Sequence, residues 1–263
     1  MPRFAANLSL LYPEHKLVDR FAAAARDGFA AVEVQAPYEL PAEEFRRALA
    51  DAKLQLVLMN APAGDATRGE RGLAALPGRE AEFKCSMMEA LDYARCVGAP
   101  RVHVMAGIAP AEARPDEVRA AYLRNLRHAA AVLGAAGVEV VIEPINTRDI
   151  PGYWLTHQQQ AAEAIDAAGS ASLGLQMDFY HLQVMEGDLL RHWQRHRARV
   201  RHVQVAGVPD RHEPDGGEVN YRAVFAALDA AGYRGWVGCE YRPARGAVAG
   251  GTSAGLGWMR TLV

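Results

Sequence analysis

The chain has 263 residues, half of them apolar and 23% charged, with a formal net charge of −2. This composition suits a globular protein with ample material for a core, and it argues against a nucleic-acid or acidic-membrane binder. The three cysteines, Cys85, Cys96 and Cys239, form no CxxC pair and leave an odd count, so a reduced, cytoplasmic protein without a disulfide framework is expected.

The N-terminal stretch MPRFAANLSLLYPEHK holds an apolar run too short for a signal peptide or a membrane span, which takes about 20 apolar residues. From there, short apolar runs alternate with segments that carry an apolar stripe at helical spacing. A strand is predicted over Phe4–Leu10, a helix over Leu17–Arg26, a strand over Ala31–Gln35, and a helix over Ala42–Ala52 with Pro41 at its first turn. Strand Leu54–Met59 leads into a long segment, 60–78, followed by helix Glu80–Val97 and strand Arg101–Met105. Helix Asp116–Ala136 stops at Gly137, strand Val138–Glu143 follows, and Thr156 is a candidate N-cap for helix Thr156–Ala168. Strand Leu173–Asp178, helix Gln183–His196 and strand Val200–Val205 precede a second long segment, 206–220. Helix Tyr221–Ala231 stops at Gly232 before strand Trp236–Glu240. The terminal RPARGAVAGGTSAGLGWMRTLV reads as a loose loop before a short final helix.

Strands separated by helices form a parallel sheet, because parallel neighbours need a crossover. The rival is an open, doubly wound sheet. Eight units in this length, with no glycine-rich phosphate loop after the first strand, favour a closed α/β fold, one (β/α)₈ TIM barrel over 1–263. The two long segments then lie on the C-terminal face, where barrel enzymes build their sites. No GxxxxGK[ST], HExxH, GxSxG or Cys–His zinc spacing is present.

Strands five to eight run VVIEPIN, LGLQMDFYH, VRHVQVAG and WVGCEY, which puts Glu143, Asp178, Gln204 and Glu240 at neighbouring strand ends. One such residue alone is ordinarily a surface group. Glu143 and Glu240, however, are reached through buried apolar sequence, where an ionised group needs a partner or a cation. Four oxygen ligands at successive strand ends suit one divalent metal ion, Mg²⁺ or Mn²⁺. His181, three residues past Asp178, is placed to meet substrate. Asn7 and Asn60 stand at the ends of strands one and three, each able to bond a substrate hydroxyl. His103 in strand four reads equally as a core histidine or a contact. The long loops offer Arg68, Glu70, Arg71 and Arg79, then Arg211, His212, Glu213 and Glu218.

A metal flanked by two carboxylates fits proton transfer beside a carbonyl, with an enediolate stabilised as it forms. Three carboxylates around a 2+ ion leave one negative charge. An acidic substrate therefore calls for cationic help, and Arg71 and Arg211 are the candidates.

Over nearly its whole length the chain resembles hydroxypyruvate isomerase and its relatives that isomerise four-carbon 2-oxo acids, within the sugar isomerase/epimerase barrels. The resemblance lies in RFAANLSLLY, NAPAGDATRGERGLAALPGREAEF, IEPINTRDIPGYWLT, MDFYHLQVMEGD, GEVNY and GWVGCEYRP. It implies interconversion of hydroxypyruvate and tartronate semialdehyde. Glu143 and Glu240 would be the acid/base pair and also metal ligands, Asp178 and Gln204 would complete the shell, and His181 would lie beside substrate. Wider relatives often carry His at Gln204, and an amide oxygen is the harder ligand, hence the lean to Mg²⁺ or Mn²⁺. Alternatives are a 2-oxotetronate isomerase or keto-sugar epimerase with the same site, then a metal-dependent polyol dehydratase. The partner is a small hydroxy-carbonyl acid; neither nucleic acid nor membrane is expected, and a homo-oligomer stays open.

Overall fold

The computed structural model describes residues 2–262. Eight strands form a closed, all-parallel barrel in chain order. They are β1 (Arg3–Asn7), β2 (Ala31–Val34), β3 (Gln55–Asn60), β4 (Arg101–His103), β5 (Glu139–Ile142), β6 (Leu173–Asp178), β7 (Val200–Val205) and β8 (Trp236–Cys239). β8 pairs with β1 through Arg3↔Trp236 to Ala6↔Cys239, which closes the ring. The expected barrel is therefore the observed one.

Helices α1 (Leu17–Arg26), α2 (Ala42–Ala52), α3 (Glu80–Val97), α4 (Pro115–Gly134) and α5 (Gln158–Ala168) follow β1 to β5. Each buries the stripe that its spacing predicts, as with Phe45 and Leu49 on α2. The expected helix Gln183–His196 is instead two: α6 (Phe179–Met185) and α7 (Leu189–His196). Gly187 and Asp188 between them both adopt left-handed backbone, which interrupts the helical ladder. α6 also begins earlier than expected, directly at the end of β6. Asp178 Oδ1 accepts from Tyr180 N–H at 2.8 Å, making the strand's last residue the helix's cap. Thr156 is not a cap; His157 holds that position. β1 ends at Asn7 and β4 at His103, both shorter than expected.

After α8 (Tyr221–Ala230) and β8, the tail forms turns and two short helices, α9 (Gly251–Gly255) and α10 (Trp258–Thr261). Trp258 is buried edge-on to Phe4, with ring centroids 4.9 Å apart. Such an aromatic pair adds about 0.5–1.5 kcal/mol beyond its buried area. Most of the core lies between strands and helices, while Ala5, Ala31, Val57, Leu58 and Val141 form a separate small cluster from four strands. Pairing shifts by one residue in two places, between Val32 and Glu33 against β3 and between Leu175 and Gln176 against β7. Irregularities of this kind re-aim side chains. No helix among the described residues is long and apolar enough to cross a membrane.

Candidate active site

A cavity of about 470 Å³ opens at the C-terminal ends of the strands. Asn7, Asn60, Glu70, Arg71, His103, Glu143, His181, Gln204, Arg211 and Glu240 all line it, whereas Arg68, Arg79, His212, Glu213 and Glu218 from the same two loops do not. Ligand atoms of Glu143, Asp178, His181 and Glu240 lie within 4.8 Å of one another, and all four residues are buried.

The three carboxylates share one pattern: one oxygen is held by the protein and the other is bare. Glu143 Oε2 accepts from Gln176 Nε2 at 2.9 Å, Asp178 Oδ1 from the Tyr180 amide, and Glu240 Oε1 from Gln35 Nε2. Glu143 Oε1, Asp178 Oδ2 and Glu240 Oε2 are buried with no hydrogen bond among the described residues. Arg211 Nη2 does approach Glu240 Oε2 to 3.1 Å, an ion pair rather than an aligned hydrogen bond. Burial of a bare carboxylate oxygen costs several kcal/mol unless a cation meets it. Three converging bare oxygens therefore fit a divalent metal ion.

Arg211 belongs to this cluster more than to the loop from which it comes. It is held in left-handed backbone (φ 57°), lies over the Tyr180 ring and reaches Asp149 at 3.4 Å and Asp178 at 3.8 Å. Its charge offsets one of the three carboxylates, and a 2+ ion bound there would balance the other two, in place of the single excess negative charge expected when Arg211 is left out of the count.

Among these protein groups alone, burial pushes the Glu143 carboxyl well up, helped by Glu240 and Asp178. Burial likewise lifts Glu240 to about 8 and Asp178 to about 6, with Arg211 opposing both. His181 is driven well down by burial and then by Arg211, so its imidazole is neutral. Its Nδ1 faces two donors, the Asn146 backbone N–H at 3.3 Å and Asn146 Nδ2 at 2.7 Å. Asp149 N–H donates to Asn146 Oδ1, which fixes that amide's direction. These donors leave Nδ1 as an acceptor, and Nε2 lies 3.6 Å from Asp178 Oδ2, 3.8 Å from Glu143 Oε1 and 3.4 Å from Arg211 Nη2.

The remaining expected residues divide. His103 is neutral, its pKa lowered to about 3 by burial, with Nδ1 3.6 Å from Glu143 Oε2. Asn7 has both polar ends engaged inside the protein, by Glu33 and Ser9 N–H. Glu70 is tied to Arg79 at 3.0 Å and to Asp65 N–H, so it shapes the loop. Arg71 is exposed at the rim with no carboxylate partner among the described residues. Glu33, Gln35, Gln176, His202 and Asn146 were not singled out from the sequence, nor was Arg242, a second exposed rim arginine.

Fold and site together define a (β/α)₈-barrel enzyme whose centre is a buried carboxylate cluster able to take a divalent cation. The xylose isomerase-like TIM barrel family matches residues 21–262, and the chain belongs to that family. It is 54% identical to a 2-oxo-tetronate isomerase of Cupriavidus necator, over 99% of this chain and 98% of that protein. It is 42% identical to a hydroxypyruvate isomerase of Escherichia coli K12, over 98% of each. Full-length likeness of this order makes the protein an isomerase. A solved structure from Brucella melitensis, titled AP endonuclease, family 2, superposes with a TM-score of 0.95 at 42% identity over 99% of both chains.

Proposed function

We propose that the protein is an aldose–ketose isomerase of short hydroxy-carbonyl acids, interconverting hydroxypyruvate and tartronate semialdehyde through an enediolate. The observation that carries this reading is the pair Glu143 and Glu240, buried with a carboxylate oxygen of each within 4.8 Å and with Glu143 Oε1 and Glu240 Oε2 accepting no hydrogen bond. One of the pair takes the proton from the hydroxymethyl carbon and the other delivers a proton to the neighbouring carbon, while the hydroxyl proton passes from the hydroxymethyl oxygen to the former carbonyl oxygen as the carbonyl shifts. Carboxyls lifted toward neutrality by burial suit both tasks, and such acid–base work contributes roughly 10²–10⁴-fold. Glu143, Asp178, Gln204 and Glu240 would hold a divalent cation, Mg²⁺ or Mn²⁺, which would supply Lewis-acid polarisation to the substrate. The His181 Nε2–H donates a hydrogen bond to the oxygen that gains negative charge.

A second reading, a four-carbon 2-oxo acid as substrate, is favoured by the higher identity to the C. necator protein. The cavity volume also accommodates the extra carbon. Incubating the metal-loaded protein in D₂O with hydroxypyruvate, four-carbon 2-oxo acids and free ketoses, followed by NMR, separates the outcomes. Isomerised acid with deuterium at the new C–H supports the proposal. Epimerised ketose alone, or loss of water from the substrate, overturns it.

The acid end of the substrate meets Arg71 and Arg242 at the rim. Arg71→Ala should raise KM for acidic substrates a few-fold, on the scale of about 0.2–1 kcal/mol for a solvent-exposed ion pair. KM for a neutral ketose should stay unchanged. Equal effects on both would remove the charge argument.

A further inference from the structure

We infer that Glu33 is a positioning residue for the metal centre: it dictates which end of the Gln204 amide faces the cation. This rests on the reading that Gln204 is a ligand. The two ends of a glutamine amide are nearly the same shape, but only the oxygen can bind a cation. A metal site built on glutamine, unlike one built on aspartate or glutamate, therefore needs something that prevents the amide from turning over.

The barrel interior provides that device. Gln204 Nε2 donates to Glu33 Oε1 at 2.8 Å, and Gln204 Oε1 accepts from Gln176 Nε2 at 2.6 Å. Glu33 Oε1 already accepts from Asn7 Nδ2, and a carboxylate oxygen met in this way admits only the nitrogen end of the Gln204 amide. Gln176 is equally committed, because its Nε2 is shared with Glu143 Oε2. Reversal is blocked further out as well. The Ser9 backbone N–H donates to Asn7 Oδ1 at 3.0 Å, which turns Asn7 Nδ2 onto Glu33 Oε1 at 2.8 Å. His202 Nε2 occupies Glu33 Oε2 at 2.6 Å. The chain of polarity thus begins at a main-chain N–H, whose direction cannot change, and ends at the amide oxygen.

Glu33 stands on β2 and its partners Gln204 and His202 on β7, so its side chain crosses the barrel lumen. Two features of the backbone serve that crossing. A Cβ on Gly238 of β8 would overlap the Glu33 carboxylate, so a glycine is required there. Both pairing shifts fall at the residues in question, Glu33 in β2 and Gln176 in β6.

The test is Mn²⁺ binding to the metal-free protein, read from the EPR signal of free Mn²⁺, for Glu33→Gln, Gln204→Ala and the double variant. Glu33→Gln can donate as well as accept and so permits both amide orientations. It should weaken Mn²⁺ binding on the order of 10-fold, the usual cost of losing an outer partner of a ligand. In the Gln204→Ala background the same change should cost less than about twofold, because the residue it orients is gone. An equal loss in both backgrounds would show that Glu33 acts through its charge at a distance, and the inference falls. If Gln204→Ala alone leaves Mn²⁺ affinity intact, the ligand reading fails first and takes the inference with it. Should Glu33→Gln not accumulate as folded protein, Asn7→Ala loosens the same carboxylate from its backbone anchor. It should give a smaller loss that likewise vanishes without Gln204, and a loss that persists there overturns the inference.

Discussion

Glu143→Gln and Glu240→Gln should each lower kcat by roughly 10²–10⁴-fold, the scale of general acid–base catalysis, while the metal-free Glu143→Gln protein melts at or above the parent's Tm. The two effects have opposite sign for one reason. Both carboxyls are buried and crowded, and burial raises the pKa of each. An amide of the same shape removes a charge that folding must desolvate, so the fold gains while the proton carrier is lost. Gln176 Nε2 would then face an amide oxygen at position 143, so its anchor is not stranded, whereas Glu240→Gln would also take the charged partner from Arg211. Stopped turnover with unchanged or raised Tm identifies a catalytic carboxylate at position 143. Near-wild-type rates in both variants would reject the two-glutamate mechanism.

Stripping divalent cations with a chelator should abolish turnover, and Mg²⁺ or Mn²⁺ should restore it. Full activity in the stripped protein would refute metal dependence. The stabilisation on adding Mn²⁺ should also depend on pH. Glu240 is raised to about 8 and Asp178 to about 6, above their ordinary values of 4.5 and 3.8. Between those limits the folded, stripped protein retains protons that the unfolded chain releases. The stability that these two groups contribute is full at low pH and is lost as pH rises through this window. A cation replaces those protons and removes the penalty. The rise in Tm on adding Mn²⁺ should therefore be larger at pH 8 than at pH 6, and differential scanning fluorimetry reads the difference directly.

The barrel was legible from its eight apolar runs because both faces of a parallel strand are buried, which leaves a continuous hydrophobic signal. The carboxylate cluster was legible for a related reason: an acid that ends such a run has few explanations. The supporting residues were harder to see because they are neutral or singly placed. A signal was nevertheless present. Glu33 and Gln35, Gln176 and Asp178, and His202 and Gln204 are polar pairs two residues apart within otherwise apolar strands. Spacing of two keeps both members on one face, and together they mark the lumen side of three strands. What strand patterns could not reveal was how the loops resolve. Glu70 and Arg71 are adjacent in sequence, yet one is locked to Arg79 and the other stands at the rim with no carboxylate partner among the described residues. The division of Gln183–His196 into two helices was equally hidden, since Glu186, Gly187 and Asp188 interrupt a stripe that is otherwise regular.

Closure of the ring also bears on the order in which the molecule assembles. Seven of the eight strand pairs join neighbours along the chain, but β1 with β8 unites its two ends. The C-terminal segment adds to that seam: Tyr12 N–H donates to Thr252 Oγ1 across 240 positions of sequence, and Trp258 packs on Phe4 and Phe225. Contacts so distant carry the largest loop-closure entropy and form after local ones. Half-barrels of neighbouring βα units can therefore condense first, with the first strand meeting the last as the late event. Trp258, buried only once that meeting occurs, is a built-in fluorescent reporter of the final step of folding.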